Sequence, residues 1–188
     1  MEKYATTDLS LHPLIKKRWS PRAFSLQTIE KEKLERMIEA ARWSPSCYNE
    51  QPWRFIIGIK GQNSIYDKIF STLAEGNQSW AKRVPCLLLL LAKKTFTHNG
   101  KRNRWSEYDC GQAAAHLSIQ AMEESIYVHQ MAGFDKMKAT QLFAIQDDFT
   151  PVVVIAAGYQ GDVNELPEDL KKMELSPRKR LPVNDLIL

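Results

Sequence analysis

Residues 43–55 read Trp43-Ser44-Pro45-Ser46-Cys47-Tyr48-Asn49-Glu50-Gln51-Pro52-Trp53-Arg54-Phe55. The stretch joins two segments of different type. Upstream, Leu34, Met37, Ile38 and Ala41 recur at the spacing of one helical face. Downstream, Trp53 to Ile59 is β-rich. Pro45 and Pro52 end the helix and stiffen the connection. Between them lie Ser46, Tyr48, Asn49, Glu50 and Gln51. Asn and Gln amides present donors and an acceptor in one plane, which suits the edge of a planar heteroaromatic ring. An ordinary polar helix-to-strand loop has the same composition, and these residues alone leave both readings open.

Working outward, the N-terminal side predicts a short helix over residues 8–17 started by Asp8, with Pro13 in its first turn. Arg18 to Phe24 reads as an extended loop. Thr28 is the expected N-cap of the helix that runs to about Trp43. On the other side, Asn63 to Leu73 predicts a helix whose face is Ile65, Ile69 and Leu73, with Gly76 ending it. Cys86 to Ala92 is apolar on both faces and predicts a central strand covered on both sides. Lys93 to Arg104 is polar and basic, with a turn at Asn99-Gly100. Glu107 to Tyr127 is expected to be the longest helix, and its small residues Ala114, Ser118 and Ala121 admit a close neighbour. Asp135 caps a short helix to about Ile145, and Val152 to Ala157 is a second buried strand. Beyond Gly161 the chain reads as a charged, proline-rich tail. Its apolar end, Leu181, Val183, Leu186, Ile187 and Leu188, suits docking either on a partner protomer or back on its own.

The chain has 188 residues, 44% of them hydrophobic, which suits one domain or one protomer of an intertwined oligomer. A net charge of +4 fits a bound phosphate without calling for nucleic acid. Three cysteines without a C-x-x-C spacing point to a reduced, cytoplasmic compartment, and Cys47 reads as structural. The first ten residues carry no apolar h-region, so no secretory signal is expected. The apolar run at Cys86 is too short to cross a bilayer.

Few chemistries survive. His12, His98, His116 and His129 show no metal-ligand spacing. No G-x-S-x-G elbow exists, and no glycine-rich phosphate loop follows a strand, which argues against hydrolase and Rossmann readings. The basic clusters Lys101-Arg102-Asn103-Arg104 and Arg178-Lys179-Arg180 would serve single-stranded nucleic acid beside Trp105, but clusters of this size are common solvated surface.

The opening stretch, as P-S-x-x-N-x-Q-P-W-x-F, resembles the signature of the FMN-dependent nitroreductase family. Arg18-Trp19-Ser20-Pro21-Arg22-Ala23-Phe24 resembles that family's R-x-S-x-[RK]-x-F entry motif, and Ser176 to Pro182 its basic tail. The His129-Gln130-Met131-Ala132-Gly133-Phe134-Asp135 string is similar to one in a shorter-chain branch.

The resemblance implies an α+β fold: a three-layer sandwich with a central, largely antiparallel sheet flanked by helices and an extended C-terminal tail. Residues 1–188 would form one FMN-binding domain, with residues 161–188 docking on the partner of a homodimer. FMN would be the cofactor and NAD(P)H the co-substrate. Hydride would pass through flavin N5 to nitroaromatics, quinones or similar acceptors. Arg18, Trp19 and Ser20 go with the phosphate and ribityl chain, and Arg178 and Arg180 close over the phosphate. Arg22 goes near flavin N1 and C2=O, and Asn49 to the ring edge. Pro45 and Ser46 lie against the ring from the partner subunit. A backbone donor at Met131 or Ala132, beside Gly133, replaces the Glu-Gly pair of better-known members at N5. Gln51 and Trp53 hold the loop, His129 is a satisfied core histidine, and no side chain is expected to act as a nucleophile. The alternatives are another flavin reaction on the same scaffold (dehydrogenase, dehalogenase or enone reductase) or a basic nucleotide-binding module without turnover.

Overall fold

The run Cys86–Lys93 forms the middle of the molecule, as its composition requires. In the computed structural model, which describes residues 2–188, this strand is solvent-free along nearly its whole length. In chain order the elements are α1 (Pro13–Lys17), α2 (Lys31–Arg42), β1 (Trp53–Ile59), α3 (Ser64–Thr72), α4 (Glu75–Ala81), β2 (Cys86–Lys93), α5 (Ser106–Glu123), β3 (Tyr127–Met131), α6 (Lys136–Leu142), β4 (Phe149–Gly158) and α7 (Glu168–Leu175). The four strands form one sheet in the order β1-β2-β4-β3, every pair antiparallel.

Side chains alternate across a strand, so β2 divides the core in two. Leu87, Leu89 and Leu91 join Tyr66, Ile69, Trp80 and Ala139 from α3, α4 and α6, with Trp19 and Phe24 from the entry motif. Leu88, Leu90 and Ala92 join Leu34, Met37 and Ala41 of α2 and Ala113, Ala114, Leu117 and Ala121 of α5. The result is the expected three-layer α+β sandwich. The close neighbour that the small residues of α5 admit is α2 of the same chain. Among the described residues no helix is long and apolar enough to cross a membrane.

Several boundaries differ from expectation. Helix α1 is capped by the ring of His12, which accepts from the Leu14 N–H, rather than started by Asp8. Helix α2 begins at Lys31 after Glu30, not at a Thr28 cap. Gly76 does not end a helix but lies inside α4. The break falls at Leu73, which turns extended and bridges Phe134. Helix α5 stops at Glu123, because Ser125 takes φ 60° and turns the chain into edge strand β3. Strand β4 starts earlier than expected, at Phe149, and includes Pro151. Proline is tolerated there because β3 pairs only with Val154 to Gly158, and the register with β2 shifts beside Pro151. Helix α7 lies within the segment read as a tail.

Beyond β4 the chain pairs with the entry motif. Ser25 N–H donates to the Tyr159 carbonyl, and Gly161 N–H to that of Ala23. A Cβ on Gly161 would lie 2.4 Å from the Phe24 carbonyl carbon, so only glycine permits this approach. On Gly76 it would meet nothing within 4 Å. Gly161→Ala is expected to destabilise the fold by about 1–3 kcal/mol through overpacking, and Gly76→Ala to stabilise it by about 0.5–1 kcal/mol through backbone entropy. Denaturant unfolding of the two variants checks both signs.

Candidate active site

The Pro45–Gln51 loop is held in an unusual conformation from several sides. Tyr48, Asn49 and Gln51 all have φ between 51° and 55°, a left-handed region that costs non-glycine residues about 1–2 kcal/mol each. The chain offsets this with local bonds. Ser46 Oγ accepts from the Gln51 N–H at 3.0 Å, and Gln51 Nε2 donates to the Asn49 carbonyl. Asp109, buried on α5, accepts from the Cys47 N–H at 3.1 Å. Burial raises the Asp109 carboxyl above the usual carboxylate range. Glu50 pairs with Lys93 at 2.9 Å and takes the Thr97 N–H and hydroxyl. Trp53 is buried in the α2/α5 core. The Asn49 side-chain amide has no hydrogen-bond partner among the described residues, its backbone N–H donating to the Ser46 carbonyl, and Pro45 and Tyr48 are exposed.

The second group assembles around Glu174 of α7, which is 1% exposed. Its carboxylate accepts from the Arg22 N–H at 2.9 Å and the Ala23 N–H at 3.1 Å. The tail is thereby fixed to the entry motif of its own chain. Lys3 Nζ reinforces this by donating to the carbonyls of Glu174 and Ser176, and Arg178 by donating to those of Lys3 and Lys16. The consequence is electrostatic. Arg18, Arg178 and Arg180 feel one another. Burial first, then the neighbouring guanidiniums, press Arg18 and Arg178 below the ordinary guanidinium value. Burial also lowers Lys3, with Arg22 and Arg178 adding to it and Glu174 opposing. Arg18 reaches Ser20 Oγ at 3.4 Å. None of these arginines, nor Arg22, forms an ion pair among the described residues. Trp19 is buried with its indole N–H unpartnered, against Tyr127 and under Lys3 Nζ. Its side chain is thus core.

Strand β3 borders this group. His129 Nδ1 bonds the Pro21 carbonyl at 2.8 Å, which as a carbonyl must accept, and the ring lies against Trp80. Burial pushes its pKa down to about 4, so the ring is neutral and holds the entry loop in place. Met131 is buried, whereas Ala132 and Gly133 are exposed past the strand end. The Gly133 carbonyl accepts from Ala74 N–H and Asn77 Nδ2 at the start of α4.

The fold therefore brings Arg18, Ser20, Arg22, Arg178 and Arg180 together beside the strand that leads to Met131, Ala132 and Gly133. Pro45, Ser46 and Asn49 sit elsewhere in the chain, against the start of α5. The sequence reading missed Lys3, Asp109 and Glu174. For Glu174 a signal existed: Pro167 followed by Glu168 and Asp169 is a helix-start pattern.

A nitroreductase family model matches residues 15–78 and 59–159, most of the chain. The chain belongs to the nitroreductase family. As a member it is an oxidoreductase. A 15.4 kDa protein of Mycolicibacterium smegmatis is 31% identical over 140 residues, covering 71% of this chain and 92% of that one. A Streptococcus pyogenes protein named for NAD(P)H nitroreductase activity is 26% identical, covering 93% and 96%. Among solved structures, an oxidoreductase containing FMN superposes with a TM-score of 0.91 at 34% identity, covering 97% of this chain and 93% of that one.

In this nitroreductase-family chain His129 gives a pH-dependent prediction. Its folded pKa, about 4, lies below the ordinary 6.5. Between those values the unfolded chain binds the extra proton, so stability rises with pH across this window and is lost as pH falls through it. The contribution is roughly 2–3 kcal/mol. His129→Asn keeps an N–H donor for Pro21 without titrating. Chemical unfolding from pH 4 to pH 7 is expected to show a flatter profile for the variant.

Proposed function

We propose that the protein is an FMN-dependent NAD(P)H oxidoreductase that works as a homodimer. The observation that carries this reading is the cluster of Arg18, Arg178 and Arg180, half-buried or exposed, mutually repelling and in no ion pair among the described residues. Clustered guanidiniums favour an anion between them, and their forks suit a phosphate dianion. FMN fits the rest of the surroundings: Ser20 for the ribityl hydroxyls, Arg22 for the N1 and C2=O end, and a backbone donor at Met131 or the exposed Ala132, beside Gly133, for N5. The phosphate cluster and the Pro45–Asn49 loop lie apart in one chain, which supports a second protomer laying Pro45, Ser46 and Asn49 against the ring.

Bound FMN supplies hydride transfer, from a reduced nicotinamide to a nitroaromatic, quinone or similar acceptor. The chain orients both partners. Arg18, Arg178 and Arg180 anchor the phosphate; Arg22 supplies positive charge at the pyrimidine end; the strained loop covers the ring.

Titration of the apoprotein, read by fluorescence quenching, tests the phosphate assignment. A hydrogen bond to a charged group contributes about 1.5–3 kcal/mol. Arg18→Ala and Arg180→Ala should each weaken FMN binding about ten- to a hundredfold, with little effect on riboflavin. Equal wild-type affinity for FMN and riboflavin would remove the assignment. Light scattering checks the second half: a holoprotein that is monomeric at micromolar concentration contradicts the shared site.

A further inference from the structure

The basic run Lys101 to Arg104 is not absorbed by the flavin site, and its surroundings are built for a ligand of mixed charge. It borders an open cleft of about 1240 Å³ beside the first turn of α5. Lys94, Arg102 and Arg104 line the cleft, and so do Glu107, Asp147 and Asp148. Charges of both signs face the same space, yet no ion pair joins any of the six among the described residues. Among the described residues only Asp148 has a side-chain bond, from the Thr95 hydroxyl.

Asn103, also in the lining, is 3% exposed. Its Oδ1 accepts from the Trp105 N–H at 3.0 Å, but its Nδ2 is buried without a partner. A buried amide donor left unmatched costs about 1–3 kcal/mol, so an acceptor is expected to reach it. Helix α5 runs for 18 residues from this point, and Trp105 at its start offers no side-chain cap. Its first-turn N–H groups and positive dipole end therefore also call for an acceptor.

Guanidiniums, an ammonium, an amide and a helix start suit phosphate oxygens. Carboxylates beside them suit the hydroxyl donors of a ribose. One ligand class carries both: a nucleoside diphosphate. The same helix turn leads to the opening loop, because Trp105, Tyr108 and Asp109 line a 210 Å³ pocket with Pro45 and Ser46. We infer that the cleft seats the adenosine diphosphate half of the nicotinamide reductant. This rests on the proposed function, in which Pro45 and Ser46 border the flavin.

Two measurements on the holoprotein test the cleft. Calorimetry with adenosine diphosphate should show binding to wild type and at least tenfold weaker binding to Arg102→Ala/Arg104→Ala, with FMN content unchanged. In turnover, the double variant should raise the KM for NADH about ten- to a hundredfold. Reduced nicotinamide mononucleotide, which lacks the adenosine half, should lose at least tenfold less. Undiminished adenosine diphosphate binding in the variant, or equal losses with both reductants, overturns the assignment. A wild-type protein that oxidises neither reductant defeats the functional reading instead, and the calorimetry then decides the cleft on its own.

Discussion

One buried carboxylate ties the C-terminal tail to the entry motif near the N-terminus. Glu174 takes the backbone N–H groups of Arg22 and Ala23 and so holds the tail to the entry motif. Burying an ionised carboxylate costs several kcal/mol unless its oxygens are matched. Charge-assisted bonds of about 1.5–3 kcal/mol each, with Lys3 nearby, offset that cost. The local consequence is order in residues 20–24 and 174–178. The larger one is electrostatic: three arginines are delivered to one place, and none of them forms an ion pair among the described residues.

The Pro45–Gln51 loop follows a different principle. There the chain stores backbone strain at Tyr48, Asn49 and Gln51 and holds it with Ser46, Glu50 and Asp109. A loop kept rigid at such cost, with an unpartnered amide at Asn49 and exposed Pro45 and Tyr48, presents a fixed surface outward. Its own chain does not cover that surface. A repelling cation cluster in one region and an uncovered loop in another support the proposed division of the site between two protomers.

Much of this was legible in the residues. The seven-residue apolar run at Cys86, with no polar face, could only be a strand covered on both sides. Asn63 and Asp135 cap their helices as their side chains suggest. Strand β3 was harder, because an edge strand with Tyr127 and Val128 both buried and Gln130 exposed breaks simple alternation. Helix α7 hid behind charge: only one of its residues, and that a glutamate, is buried. Within the site, the motif residues were legible through resemblance. The roles of Asp109 and Glu174 were not: Pro167-Glu168-Asp169 marks the start of α7, but the partners of both carboxylates are backbone N–H groups 62 and about 150 residues away, which leave no pattern in side-chain spacing.

The central claim is that the uncompensated arginine cluster exists to hold a phosphate dianion. Phosphorus NMR of the holoprotein, followed from pH 5 to pH 8, tests it directly. A free phosphomonoester takes up its second proton near pH 6. Held by Arg18, Arg178 and Arg180, the bound phosphate is expected to stay dianionic, with a resonance that does not move across that range. A resonance that titrates near pH 6, as in free FMN, would contradict the account.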